Sequence, residues 1–294
     1  MVVVMSALTD STSRTSLGSV LDWDRYPLDD LDGPTMAAVV ADARAELDAV
    51  GCARLRSFVR PDAHDALSAE TGAIAHLAHK NSQAITPYAD AGGDGWPDDH
   101  PRRRLGQMTN GFVGRDLIPE DSMIQRIYVD ADFQAFVTRC LGLEILYPFA
   151  DPIRGLVVNV MDDGEQMPWH FDANEFIVSL MTVRPRSGGE FQYCSDLRAP
   201  GDERYDDVGR VLGGDETPVR RLELSVGDVQ IFRGRYSMHR VTPVDGSRHT
   251  VLFGYSETPG YIGGVESTRL GYGRVTQAHL DAEAAGRHTD GLAG

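Results

Sequence analysis

An α+β fold, helices first and a β barrel or sandwich second, is predicted by two features of the chain. Apolar residues fall at helical spacing in the first half, whereas the second half breaks into short strand-like runs. Those runs, at 155–161, 176–182, 190–194, 221–224, Val229–Phe232, Met238–Val241 and 249–255, are separated by Gly, Pro and Asp turns. Many short strands at such spacing are the pattern of a barrel or sandwich.

In chain order, residues 1–18 are rich in Ser and Thr without periodicity and read as a loose terminus. Pro34–Val50 places Pro34 at the start and Met36, Val39, Val40, Ala43 and Leu47 at helical spacing, so a helix is expected, stopped by Gly51. Residues 52–59 alternate as a strand, and Pro61 opens a second helix toward His79. Residues 81–121, crowded with Gly, Pro, Asp and Asn, predict a long lid or binding loop. A short helix follows at 131–142. The expected organisation is one domain over 19–294: helical support and lid over 19–145, β core over 146–260 and a tail over 261–294.

The composition narrows the function. The 294 residues carry 28 Lys and Arg against 44 Asp and Glu, a formal net charge of −16. That balance disfavours a nucleic-acid partner, whose phosphates demand basic groups, and favours a small molecule. The sequence lacks a long apolar run and opens without a signal-peptide pattern, so no membrane association and a cytoplasmic location are expected. Cys52, Cys140 and Cys194 are widely spaced and read as buried free thiols. Nothing in the sequence fixes an oligomeric state.

The chemistry concentrates in two segments. In Trp169-His170-Phe171-Asp172 an imidazole and a carboxylate stand two residues apart, on one face of an extended chain. His239 lies far downstream in an apolar strand, and two histidines plus one carboxylate form the facial triad that leaves open positions on Fe(II). Nine residues after His239 come Arg248 and Thr250, again two apart, a guanidinium and a hydroxyl suited to a carboxylate.

With these motifs in this order, the chain resembles the Fe(II)- and 2-oxoglutarate-dependent oxygenases. The resemblance spans about residues 146–260 and extends to Asn159-Val160-Met161, Gly164 and the Ser187-Gly188-Gly189-Glu190-Phe191 turn. It implies a double-stranded β-helix, a jelly-roll, cupin-like core, behind supporting N-terminal helices. His170, Asp172 and His239 would hold Fe(II), and Arg248 and Thr250 would fix the 5-carboxylate of 2-oxoglutarate. Asn159 would face the cosubstrate, and O2 would take the remaining metal position. Arg235, on the His239 strand face if that strand is regular, is a candidate for cosubstrate or substrate.

The WHFDANEF, GGEF and GRYSMHRVTPVDGSRHTVLFGYS runs are most similar to a bacterial group acting on free amino acids and other small metabolites, which includes halogenases. Those halogenases replace the metal carboxylate by Gly or Ala; Asp172 is intact, so hydroxylation with decarboxylation of 2-oxoglutarate to succinate is implied. Desaturation and oxidative cyclisation are the alternatives, and a cupin-like metal-binding protein without 2-oxoglutarate is the more distant one. Candidate substrate contacts are Asn174 and Glu175, just past the triad, and Arg103 and Arg104 in the lid.

Overall fold

A computed structural model describes residues 16–286. Residues 1–15 of the expected loose terminus lie outside the described residues; Leu17, inside them, is fully buried and belongs to the main core. The first helix, α1 (Pro34–Val50), matches its expected bounds, with Pro34 in its first turn and Gly51 closing it in the left-handed region.

Strand β1 (Cys52–Leu55) is shorter than expected because Ser57 takes a left-handed φ of 50° that no strand can continue through. Its amide is instead held by the Asp228 carboxylate, which also receives Arg54. The second helix, α2 (His64–Ile74), is flanked by single 3-10 turns rather than running on to His79.

The region expected to be one long loop departs most from expectation. It contains β2 (His79–Ile85) and β3 (Gly106–Gly114), paired antiparallel from His79–Phe112 to Ile85–Gly106. The remaining loop is 86–105. Helices α3 (Met123–Val129) and α4 (Ala131–Leu141) follow, capped by the Ser122 and Asp130 side chains.

The β core then runs through β4 (Tyr147–Pro148), β5 (Leu156–Met161), β6 (Met167–His170), β7 (Ile177–Val183), β8 (Ser187–Gly188) and β9 (Phe191–Cys194). Helix α5 (Tyr205–Leu212) precedes β10 (Arg220–Leu222), β11 (Val229–Phe232), β12 (Met238–Val241), β13 (Val244–Asp245), β14 (Arg248–Phe253) and β15 (Tyr255–Ser256). The tail forms two further helices, α6 (Val265–Tyr272) and α7 (Gln277–Ala284).

A seven-stranded sheet of order β1-β11-β7-β14-β5-β3-β2 is accompanied by a four-stranded sheet of order β10-β9-β12-β6. Every pairing between named strands is antiparallel. One face of the large sheet, with Val158, Val160, Leu180, Ile231 and Val251, packs on Met36, Leu47, Leu67, Phe133 and Phe136 of the helical layer. The opposite face presents Asn159, Met161, Thr250, Arg248 and Phe232 to the small sheet, where Met161 and Phe232 cluster with Phe191, Tyr193 and Val241. Both faces are covered, so all six residues of β5 are buried.

The C-terminal helices are tied to this core through one buried pair. The Asp151 carboxylate accepts backbone N–H groups from Ile153 (2.8 Å), Arg154 (2.7 Å) and Gly263 (2.9 Å). The His279 ring completes it at 3.1 Å, both side chains being fully buried. His279→Ala removes one of four partners and is expected to cost about 1–3 kcal/mol in urea unfolding; an unchanged midpoint would show that the tail contributes nothing to the cooperative unit.

Candidate metal and cosubstrate site

His170 ends β6 and His239 lies in β12, and the strand register sets the two directly opposite one another. Their rings are 4.2 Å apart between centroids. Each ring uses Nδ1 on a backbone carbonyl two residues earlier: His170 on Pro168 at 2.8 Å and His239 on Ser237 at 3.0 Å. That contact fixes ring orientation and leaves both Nε2 atoms for another partner.

Asp172 arrives by a different route from the one its spacing suggested. The strand ends at His170, and the two following residues are positioned by Phe171 N–H on the Pro87 carbonyl (2.8 Å) and Asp172 N–H on the Gly234 carbonyl (3.1 Å). The carboxylate still reaches the imidazoles, at 3.9 Å from His170 Nε2 and 3.5 Å from His239 Nε2. The three ligand atoms lie within 4.8 Å of one another.

The donor set suits a divalent metal. Asp172 Oδ2 is buried without a hydrogen-bond partner, an arrangement that costs stability unless something charged completes it. Burial and the neighbouring His239 push the His170 pKa down to about 4, so the ring is neutral and able to ligate. Gly234 faces the carboxylate so closely that a Cβ there would strike Asp172 Oδ2.

Arg248 and Thr250 lie on β14, where Arg248 pairs with Met161 and Thr250 with Asn159 of β5. Arg248 is 4% exposed, and its Nη1 donates to Thr250 Oγ1 at 2.7 Å while its Nε has no partner. Among the described residues no carboxylate pairs with it. Burial alone lowers its pKa to about 10. Gly189, in the left-handed region at φ 61°, leaves room for the Arg248 stem, since a Cβ would come to 3.1 Å from Cδ. Asn159 is 3% exposed with an unpartnered Oδ1.

The other candidates have different surroundings. Arg235 precedes β12 and so does not share a regular strand face with His239; its Nη1 donates to the Ala173 carbonyl at 2.8 Å, bracing the segment after Asp172. Asn174 is half-buried and Glu175 exposed. Arg103 is held within the loop by Asp98 (2.7 Å) and the Trp96 carbonyl (3.2 Å), and Arg104 is exposed. Arg102 points inward instead, over the Tyr88 ring at 4.6 Å and onto the Tyr205 hydroxyl at 3.1 Å.

Two residues beside the triad carried no sequence signal. Arg198 is 1% exposed, stacks 4.1 Å over Phe171 and donates to the Arg235 carbonyl (2.7 Å) and Glu203 (2.9 Å). Tyr88 also stacks on Phe171, 5.8 Å between ring centroids, with its hydroxyl buried and unpartnered. Both sit in stretches that read as ordinary loop.

The fold is similar to several solved structures. AviO1 from Streptomyces viridochromogenes Tue57 matches at TM-score 0.51 and 15% identity over 75% of this chain and 96% of that one. The epimerase SnoN, solved with Fe3+, alpha ketoglutarate and nogalamycin RO, matches at TM-score 0.51 and 16% identity over 75% and 84%. A prolyl hydroxylase from Trichoplax adhaerens, in complex with a hypoxia inducible factor peptide, matches at TM-score 0.50 and 11% identity over 75% and 90%. No curated protein matches the chain significantly by sequence. The family model described as Halogenase D matches residues 35–261, from the first helix through the last core strand. The chain therefore belongs to the Halogenase D family, and its fold is similar to that of the epimerase SnoN, solved with Fe3+ and alpha ketoglutarate.

Proposed function

We propose that this chain hydroxylates an unactivated C–H bond of a small metabolite, such as a free amino acid or a biosynthetic intermediate, using Fe(II), 2-oxoglutarate and O2. The observation that carries the reading is Arg248, a buried guanidinium without a carboxylate partner among the described residues, in a barrel that also brings His170, Asp172 and His239 together. A buried cation of this kind calls for an anion, and a metal-binding barrel without a dicarboxylate cosubstrate has no use for one. Residues 19–286 act together in this reading, because the helical layer packs on the sheet that carries Arg248 and Asn159.

In this scheme His170, Asp172 and His239 hold the iron, which supplies oxidative decarboxylation of 2-oxoglutarate coupled to C–H oxidation when O2 binds. Arg248 and Thr250 hold the 5-carboxylate, and Asn159 faces the cosubstrate from the neighbouring strand. Phe171, clamped between Arg198 and Tyr88, closes the wall between the metal ligands and keeps water out. Arg235 braces the Ala173 carbonyl, and in this reading Asn174 and Glu175 on that segment would contact the substrate. Arg103 and Arg104 lie on the loop that would cover it. Among the described residues no helix is long and apolar enough to cross a membrane. The negative charge further suits a small-molecule partner over a nucleic acid.

The test is twofold. Anaerobic addition of Fe(II) and 2-oxoglutarate together should give a visible charge-transfer band that neither gives alone, and a screen of amino acids and related metabolites should find one that drives succinate formation. Absence of the band with both present would refute the cosubstrate reading.

The family name makes halogenation a specific question. Asp172 fills the position that a halide would need, so chlorinated product is not expected from the wild type. Asp172→Gly vacates it, but the substrate radical must also lie nearer halide than hydroxide, so mass spectrometry with chloride present should show trace chlorination at most. Undiminished hydroxylation by Asp172→Gly would show that Asp172 is not a ligand.

A further inference from the structure

Asn110 is a fully buried side chain of which neither amide atom has a hydrogen-bond partner. Because both atoms are unpartnered, the orientation of the amide is immaterial. It lies in the middle of β3. One edge of β3 stays paired with β2, Asn110 opposite Asn81, while its other edge pairs with β5 from Gly111 onward and with Gln166, just before β6, at Thr109.

The register places Asn110 among the cosubstrate candidates. Phe112 pairs with Asn159 and Gly111 with Val160, so the same register continued by one residue sets Asn110 toward Met161, which itself pairs with Arg248. Opposed residues in an antiparallel ladder point to the same face. Asn110, Met161 and Arg248 thus form one cross-strand row on the inner face, and Asn159 and Thr250 belong to the next. On this face Asn110 Nδ2 and Oδ1, Asn159 Oδ1 and Arg248 Nε are all buried without partners. Native interiors satisfy nearly all buried polar atoms, so several orphans on one face call for an explanation.

We propose that Asn110 is a cosubstrate-binding residue, whose amide donates to the 2-oxoglutarate carboxylate that Arg248 holds. The proposal rests on the reading of Arg248 given above. Asn110 supplies the second wall of that receptor: a neutral donor two strands away on the same face of the sheet. The amide oxygen of Asn110 remains free to accept from an internal water.

The test uses the full chain loaded with Mn(II), a redox-inert stand-in, and titrates 2-oxoglutarate calorimetrically. Asn110→Leu keeps the volume and removes the amide. It is expected to weaken 2-oxoglutarate binding about tenfold, leave Mn(II) affinity unchanged, and leave the ligand-free melting temperature equal or higher, since an orphaned polar group has been removed. Asn110→Asp keeps the shape and adds a like charge, so binding should weaken further. Wild-type 2-oxoglutarate affinity in both variants, or in Asn110→Asp alone should Asn110→Leu fail to fold, would overturn the proposal and leave Asn110 to an internal water. Failure of the wild type itself to bind 2-oxoglutarate would instead strike the Arg248 reading, and is seen without any Asn110 variant.

Discussion

Gly234→Ala is expected to abolish metal binding and turnover as completely as His239→Ala, with the fold intact in both. Gly234 is not among the glycines with positive φ, so an alanine backbone is tolerated there. The obstacle is purely local: the new Cβ would overlap Asp172 Oδ2 and come to 2.7 Å from its Cγ and 3.1 Å from its Cβ. The backbone bond from Asp172 N–H to the Gly234 carbonyl keeps the main chain close, so the carboxylate must rotate away from its present position beside the imidazoles. Loss of an outer partner of a ligand typically costs about 10–100-fold in metal affinity, and displacement of a ligand should exceed the upper figure. Metal stoichiometry by elemental analysis, with circular dichroism as the control for folding, makes the measurement. Full metal content and activity in Gly234→Ala would show that Asp172 does not ligate from its present position; full activity in His239→Ala would remove the metal centre altogether.

The parts of the fold that the sequence disclosed are those whose signal is local. Pro34 and Gly51 bracket a helix at both ends, and β5, β7, β9, β11, β12 and β14 sit within a residue or two of the expected bounds because each is a largely apolar run between turn formers. So does the more polar β10, whereas β6 and the two-residue β8 and β13 were not among the expected strands. What escaped was set by tertiary contact. β3 contains Gly106, Thr109, Asn110 and Gly111, residues that read as a turn, yet Gly106 lies so close to Pro168 that any side chain would clash, and pairing with β5 supplies the strand. Composition misreads such a segment because its glycines answer to close approach and its asparagine to the barrel interior. The triad was legible for its residue types. Its geometry was not, since Asp172 reaches the imidazoles through Gly234 and not along a strand face. Arg198 and Tyr88 left no periodic trace because each is ordered by a ring from another segment.

Arg248→Ala is expected to raise the dissociation constant for 2-oxoglutarate about 30-fold or more while leaving metal affinity unchanged. Arg248 and Thr250 belong to the large sheet, whereas His170 and His239 belong to the small one, so the proposed cosubstrate receptor can be removed without disturbing the proposed iron ligands. The magnitude follows from the loss of a charge-assisted contact to an anion left buried, about 2–5 kcal/mol. Stability should move in the opposite direction. In the ligand-free chain the guanidinium is buried with one hydroxyl partner and its pKa is lowered to about 10 by desolvation, so it opposes folding, and its removal should raise the ligand-free melting temperature. The same substitution should abolish most of the thermal protection that 2-oxoglutarate confers on the wild type. Arg248→Lys should recover only part of the affinity, because an ammonium keeps the charge but lacks the planar fork that reaches both carboxylate oxygens. Thr250→Val, which removes only the hydroxyl, should cost about 1 kcal/mol. A lowered ligand-free melting temperature in Arg248→Ala would mark the residue as structural, and an unchanged 2-oxoglutarate constant would transfer the receptor to another arginine, with Arg235, 8% exposed beside the Asp172 segment, the first to replace.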